Sequence, residues 1–439
     1  MVVPAERITS GKSVSGRITK RPEYDLPKTR GDKLDLPPLI TEVPTVPDRH
    51  TVVDLFCGAG GMSLGFESAG FRTLLGVDRD KVACQTFAAS IPAKVVVQDL
   101  NEITDFRAFF AQQGVHQVTG IIGGPPCQGF SRVGMGRIRH RDRLKGYTEI
   151  QKDPRNHLYR QFLAAVEALN PLFFVMENVP DIARYEDEGI LLIDRIKEMR
   201  EVRNYRMQPH ILLASDFGVP QHRSRFFLVG FHTSLGKEVS WSDSKNSHDL
   251  YGTQSLYAAI GDLPVVPDGH LHRRILYEAT QDTWLRRWYR QGIPEEQEHL
   301  LFDHLTRPHR EDDKRVFRKM NEGQRYVDIE EEERRYRSDI FLDKYRKLIW
   351  DEPSWTLTAH IRRDSYRYIH PNTEPPRTIS LREAARIQSF PDRVRFCGHR
   401  SNAFAQIGNA VPPLLSRAVA RHIMAQLPGE EEAPDSLLL

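Results

Sequence analysis

The stretch 52-VVDLFCGAGGMSLGFESAG-70 decides the fold. Residues 52 to 56 are an apolar, β-branched run that reads as a short buried strand. The glycines that follow end it and open a helix that stops at Gly70, a turn in which the backbone can approach a ligand closely. Six more runs fit strands: 73-TLLGV-77, 94-KVVV-97, 119-TGII-122, 172-LFFVM-176, 208-QPHILLA-214 and 226-FFLVGF-231. Helical patterns separate several of them. The clearest is 158-LYRQFLAAVEAL-169, where Leu158, Phe162, Val166 and Leu169 recur at helical spacing before Asn170–Pro171 ends it. Strands alternating with helices predict an α/β fold with a mostly parallel sheet of about seven strands, covered on both faces. Ligands of such sheets bind beyond the carboxyl ends of the strands.

The unusual residues fall at that edge. Gly58 and Gly60 follow the first strand, Asp78 the second and Asp99 the third. After the fourth comes Pro126–Cys127 within 121-IIGGPPCQGFS-131, and after the fifth Glu177–Asn178 within 176-MENV-179. An acid after the second strand typically grips ribose hydroxyls, and Asp99 is placed to accept from an adenine amino group. Two prolines fix the approach to Cys127, which suits a positioned nucleophile, although this stretch alone leaves a structural thiol equally open. Together these features read as an adenosine cofactor beside a thiol and a carboxyl. A nicotinamide dehydrogenase would share the glycine-rich turn but has no need of the other groups.

The 439 residues are 39% hydrophobic, enough for one large core and a smaller domain. No long apolar run or signal peptide is seen, so a soluble cytoplasmic protein without membrane contact is expected. Four widely spaced cysteines, Cys57, Cys84, Cys127 and Cys397, indicate neither a disulfide framework nor a metal site. Net charge is only +3, yet the positive residues cluster. The run 132-RVGMGRIRHRDRLK-145 holds Arg132, Arg137, Arg139, Arg141, Arg143 and Lys145 against one acid, Asp142. Arginines and aromatics also mix in 286-RRWYR-290, 314-KRVFRK-319 and 334-RRYR-337. A solvated charged face is the commoner fate of such runs, and 330-EEEE-333 argues for it locally, but repeated mixing favours a polyanion with stackable bases.

The sequence resembles the cytosine-C5 DNA methyltransferase family. The resemblance is carried by DLFCGAGG at 54–61, GGPPCQGFS at 123–131, MENV at 176–179, QHRSR at 221–225, RTISLREAARIQSFPD at 377–392 and QIGNAVPP at 406–413. The order is that of the bacterial, unpermuted type, with a variable region of roughly one domain's length ahead of the last two blocks. It implies a Rossmann-like S-adenosylmethionine-dependent methyltransferase sheet with a second, smaller target-recognition domain. The expected organisation is a basic, Pro-rich arm over 1–48, a catalytic domain over 49–235 and a target-recognition domain over 236–400 that includes the RTISLREAAR block. A return to the catalytic domain over 401–426 and an acidic tail over 427–439 complete it.

Roles follow residue by residue from the resemblance. Cys127 would add to cytosine C6, Glu177 would hold a proton on N3, and Arg225 with Arg223 would orient the base and brace the site. S-Adenosyl-L-methionine is the implied cofactor. Phe56 would stack on its adenine, Asp78 hold the ribose, and Asp99 and Leu100 address the adenine edge, with Gly58, Gly60, Arg79, Pro126, Leu158, Asn409 and Val411 completing the pocket. Two positions depart from the pattern: Asp78 where a glutamate is common, and Arg79 where an aromatic often stands. Core packing is an equal reading for Phe56, Leu158 and Val411. Double-stranded DNA is the implied partner, bound by a chain acting as a monomer, with a defence-system partner protein left open. The loop arginines 132 to 143 would hold phosphates, with Gly134 and Gly136 as hinges, and base reading is expected between about 236 and 350, with Arg286, Arg287, Trp288, Arg315 and Arg318 as candidates. Three alternatives compete with this reading: a tRNA-cytosine methyltransferase, disfavoured because no cysteine is followed by Phe-Thr; a catalytically silent homologue, which would be expected to lose Cys127 or Glu177; and the dehydrogenase.

Overall fold

Val52 and Val53 are adjacent and both fully buried, which requires a strand covered on its two faces. The computed structural model describes residues 50–126, 157–187, 190–236, 251–278, 282–334 and 345–428. Its main sheet contains β1 (Thr51–Leu55), β2 (Arg72–Asp78), β3 (Lys94–Val97), β4 (Gly120–Gly123), β5 (Phe173–Asn178), β6 (Tyr205–Leu213) and β7 (Ser224–His232). The order is β3-β2-β1-β4-β5-β7-β6. The first five strands are parallel and β7 runs antiparallel to both β5 and β6. All seven runs read from the sequence are therefore strands, within a few residues at each end. The chain reverses direction across the sheet between β1 and β4, the switch point where a crevice opens.

Alternation along the strands sorts the core into two layers. Phe173, Val175, Phe227 and Val229 face one side, whereas Phe174, Met176, Phe226 and Leu228 face the other. The second side is covered by α3 (Phe106–Gln112) and by α4 (Leu158–Leu169), whose bounds are those of the sequence pattern; α5 (Leu192–Lys197) adds Ile193 and Ile196. The first side receives α1 (Gly61–Ser68), α6 (Leu256–Ile260), α7 (Trp284–Arg290), α9 (Leu381–Ile387), α10 (Arg400–Asn409) and α11 (Pro413–Met424). Helix α2 (Lys81–Ser90) is capped by Asp80, which accepts from the amides of Val82 and Ala83. A Cβ on Gly65 would lie 2.5 Å from Pro413 O, so the glycine lets α11 seat directly on α1. A small separate core of Val316, Phe317, Met320, Tyr326, Ile329, Tyr345 and Ile369 lies under α8 (Glu311–Lys319).

The arginines of the RTISLREAARIQSFPD block are structural. Arg377 makes two 2.7 Å bonds to Glu383, and Arg386 reaches Asp392 at 2.6 and 2.9 Å and Asp262 at 2.8 Å, all in the interior. Buried charges persist only when paired and fully hydrogen-bonded, and these are. Among the described residues, no helix is long and apolar enough to cross a membrane.

Candidate active site

The carboxyl ends of β1, β2 and β3 form one side of the crevice. Immediately after β1 the chain makes an abrupt turn: Phe56 has φ 60°, Gly58 52° and Gly60 83°. A phenylalanine in the left-handed region costs about 1–3 kcal/mol and persists where the surroundings hold it for a purpose. Its ring is only partly buried. Asp78 ties the turn down, because Oδ2 accepts from Gly58 N at 2.9 Å while Oδ1 accepts from Asp80 N at 2.8 Å. Burial raises the Asp78 pKa, against these two amide bonds, which lower it.

Asp99 caps the short turn that follows β3, accepting from Asn101 N at 3.0 Å, and its other oxygen faces Arg79 at 3.7 Å. That pair is largely exposed and contributes little to stability. Leu100, Leu158 and Val411 are buried at 2, 2 and 8% exposure, so all three pack as core. Asn409, at the end of α10, is exposed and Pro126 is half-buried. Phe56, Gly58, Gly60, Asp78, Arg79 and Asp99 thus stand at one crevice, and the donor and acceptor set fits an adenosine group: a partly free aromatic face, a carboxylate beside a glycine turn, and an acid one strand further out.

Asp54, which sequence reasoning passed over, lies beneath this turn. It is 1% exposed and accepts from Ser63 Oγ at 2.5 Å, linking β1 to α1. Burial pushes its pKa up to about 7, with the Ser63 bond opposing and the nearby Asp78 carboxylate adding to the rise. An acid inside the apolar run VVDLF was the available signal. The native protein holds the Asp54 proton more tightly than the unfolded chain, so its contribution to stability is present at low pH and is lost as pH rises to about 7. Asp54→Asn should therefore match the wild type near pH 4 and exceed it above pH 8 by up to roughly 4 kcal/mol. Urea unfolding across that range checks this; parallel pH profiles for the two proteins would contradict it.

On the other side of the switch point, β4 leads through Gly123–Gly124 toward the cysteine. Gly123 is obligatory, since a Cβ there would lie 2.2 Å from Leu55 O. A Cβ on Gly124 would lie 2.9 Å from Glu177 Oε2, so the glycine admits the carboxylate at the end of β5. Asn178 joins the two strand ends by donating from Nδ2 to Pro125 O at 3.2 Å. Glu177 Oε1 meets Arg225 Nε at 2.8 Å, with both side chains only 12–13% exposed. Burial raises the Glu177 pKa, while Arg225 and Arg223 pull it back.

Arg223 acts on this carboxylate through its charge, while its hydrogen bonds go to backbone carbonyls. It is fully buried and donates to Leu357 O at 2.5 Å, Gly408 O at 3.0 Å and Ala410 O at 3.2 Å. Its geometry is that of a brace between the sheet and the last two sequence blocks. Gln221 and Gln388, also missed in the sequence, extend the brace: Gln221 donates to Gln388 Oε1 at 2.6 Å and accepts from Leu357 N at 2.8 Å.

Cys127 and the arginines at 132, 137, 139, 141 and 143 lie outside the described residues. The candidates for base reading divide. Arg286 and Trp288 are buried, at 4 and 2% exposure, and Arg286 pairs with Asp262 at 3.4 Å. The expectation that these two reach DNA is corrected: on α7 the arginine–aromatic mixture faces an acidic interior, and only Arg287 is exposed, beside Asp282 at 3.0 Å. On α8, Val316 and Phe317 face the small core while Arg315 and Arg318 lie outside, paired with Asp312 at 3.0 Å and Glu374 at 2.6 Å.

The sheet order and the crevice that unites the glycine turn, Asp78 and Glu177 define an α/β methyltransferase of the Rossmann-like class. Residues 50–425 match the family model described as C-5 cytosine-specific DNA methylase. The chain belongs to that family and is a DNA (cytosine-5-)-methyltransferase. It is similar to the type II methyltransferase M1.HphI of Haemophilus parahaemolyticus, 35% identical with 85% of this chain and 86% of the relative covered. M.DdeI of Desulfomicrobium norvegicum is 34% identical over 85% and 88% of the two chains. Among solved structures, one described as a DNA modification methyltransferase encoded within an E. coli prophage superposes with a TM-score of 0.69 at 27% identity, covering 87% of this chain and all of that one.

Proposed function

We propose that this enzyme takes a cytosine out of duplex DNA, adds Cys127 to C6 and methylates C5, within a restriction-modification or other genome-defence system. The observation that carries the reading is the buried Glu177 carboxyl, held by Arg225 directly against the loop that leads into Cys127. Cytosine C5 is a weak nucleophile. Addition of a thiolate to C6 makes it an enamine carbon, and a proton held by Glu177 on N3 makes C6 electrophilic enough to accept the thiolate. An unperturbed thiol, with a pKa of about 8.5, is only slightly ionised at neutral pH, so the local arginines are expected to favour the thiolate. Arg225 fixes the carboxyl and would orient the base at O2; Arg223 holds the surrounding backbone.

S-Adenosylmethionine supplies an electrophilic methyl group when bound, and Phe56, Asp78 and Asp99 would hold its adenosine part. Loss of the C5 proton then allows Cys127 to leave. Flipping the base costs a few kcal/mol, which the arginines at 132 to 143 would offset by holding phosphates while the loop excludes water. Residues 236–400 would carry target recognition, in a protein acting as a cytoplasmic monomer on DNA.

Relatives that are named type II methyltransferases support the defence role. Tritium transfer from labelled cofactor to duplex DNA, with bisulfite sequencing of the product, tests the reading. Methylated cytosines in one sequence context are expected; label on tRNA but not on any duplex would replace DNA by RNA as substrate.

A further inference from the structure

We infer that Arg362 and Arg363 read guanine in the major groove next to the target cytosine. This rests on the DNA-cytosine reading above, and it places base recognition beyond the 236–350 segment in which it was expected.

The strand pair that leads to these arginines adjoins the candidate active site. Ser354–Trp355 pairs in parallel with Gln221–His222, immediately ahead of Arg223 and Arg225. The next residues are fastened one by one. Thr356 Oγ1 donates to His222 O at 2.6 Å, Leu357 N to Gln221 Oε1, and Leu357 O accepts from Arg223. A Cβ on Gly408 would come within 2.6 Å of Thr358 O and Ala359 N, so the chain lies flat on α10.

The turn Ala359–Arg362 that follows is closed from behind. Tyr368 Oη donates to Thr356 O at 2.9 Å and accepts from Thr358 N at 3.3 Å, while Trp355 Nε1 donates to Arg367 O at 2.9 Å. Arg307 clamps the tip, donating to Ile361 O at 2.7 Å and to Arg362 O at 3.0 Å from a guanidinium stacked 4.7 Å over Phe404. Ile361 is fully buried and anchors the tip.

The two residues that follow Ile361 are exposed. The side chains of Arg362 and Arg363 make no hydrogen bond or ion pair among the described residues, unlike Arg287, Arg315 and Arg318, each of which faces a carboxylate. Two adjacent free guanidiniums on a turn held at four points, reached within six residues of an Arg223 contact, form a preorganised reading head. A guanidinium meets guanine O6 and N7 with two parallel bonds, the commonest specific contact in the major groove.

Lysine separates base reading from phosphate contact, because it keeps the charge but not the fork. The full-length enzyme and its Arg362→Lys, Arg363→Lys and double variants are given a duplex library with randomised positions around one cytosine, and the methylated products are sequenced. Melting temperature and the salt dependence of DNA binding are measured alongside. The double variant should melt and respond to salt like the wild type, yet lose preference at a G·C pair near the target by about tenfold or more. An unchanged sequence preference in the double variant would overturn the inference, as would an equal loss of methylation at every sequence with native melting. If the wild type methylates no cytosine in any duplex, the underlying reading fails instead, and the inference with it.

Discussion

Cys127→Ser should lose methyl transfer by on the order of 10³- to 10⁶-fold while binding S-adenosylmethionine almost as the wild type does. The hydroxyl is nearly isosteric with the thiol but ionises so much less that addition to C6 stops. Cofactor affinity should survive because the groups expected to hold adenosine, Phe56 with its left-handed backbone and Asp78 tied to Gly58, stand at the carboxyl ends of β1 and β2 and far in sequence from the cysteine. Calorimetry with the cofactor and a tritium-transfer assay separate the two effects. Turnover near the wild-type level would remove Cys127 from the mechanism.

The second large effect is expected at Glu177. Glu177→Gln should slow methylation by about 10²- to 10⁴-fold, the usual contribution of a positioned acid, because an amide cannot hold the proton that activates cytosine through N3. The pH profile gives a finer test. Burial raises the pKa of this carboxyl, and the protonated form is the one required, so activity should fall on the alkaline side as Glu177 loses its proton. The acid side should fall as Cys127 gains one. In Glu177→Gln the alkaline limb should be lost while the acid limb stays. A carboxylate that served only to hold Arg225 would leave the shape of the profile unchanged and reduce its height.

Much of this site is legible in the sequence, for a physical reason. A central strand buried on both faces must be a short apolar run, and a parallel sheet must alternate such runs with helices, so β1 to β7 and α4 stand out by composition and period. The functional residues follow the strands' carboxyl ends, which puts Asp78, Asp99 and Glu177 in place without coordinates. Buried ionic partners are another matter. Arg386 meets Asp262 across 124 residues of sequence, and Arg286 turns inward to the same acid, so a run such as RRWYR looks like a nucleic-acid surface until the fold supplies its counter-charge. Asp54 was overlooked differently: an acid within the apolar run VVDLF is visible in the sequence, but its partner Ser63 is supplied only by the packing of α1 on β1. The turn bearing Arg362 and Arg363 was missed because it is a single short 3-10 turn with no period to read; its rigidity comes from Arg307, Tyr368 and Gly408, all outside the turn itself.

The central claim is that a cysteine of this chain bonds covalently to the base it methylates. The most direct measurement offers the enzyme a duplex with 5-fluorocytosine at the target together with S-adenosylmethionine. Fluorine cannot leave as the C5 proton does, so the methylated adduct should stall, survive denaturing gel electrophoresis and map by peptide mass spectrometry to GGPPCQGFSR, with no adduct from Cys127→Ser. Attachment at Cys57, Cys84 or Cys397, or methylation of the fluorinated duplex without any covalent complex, would contradict it.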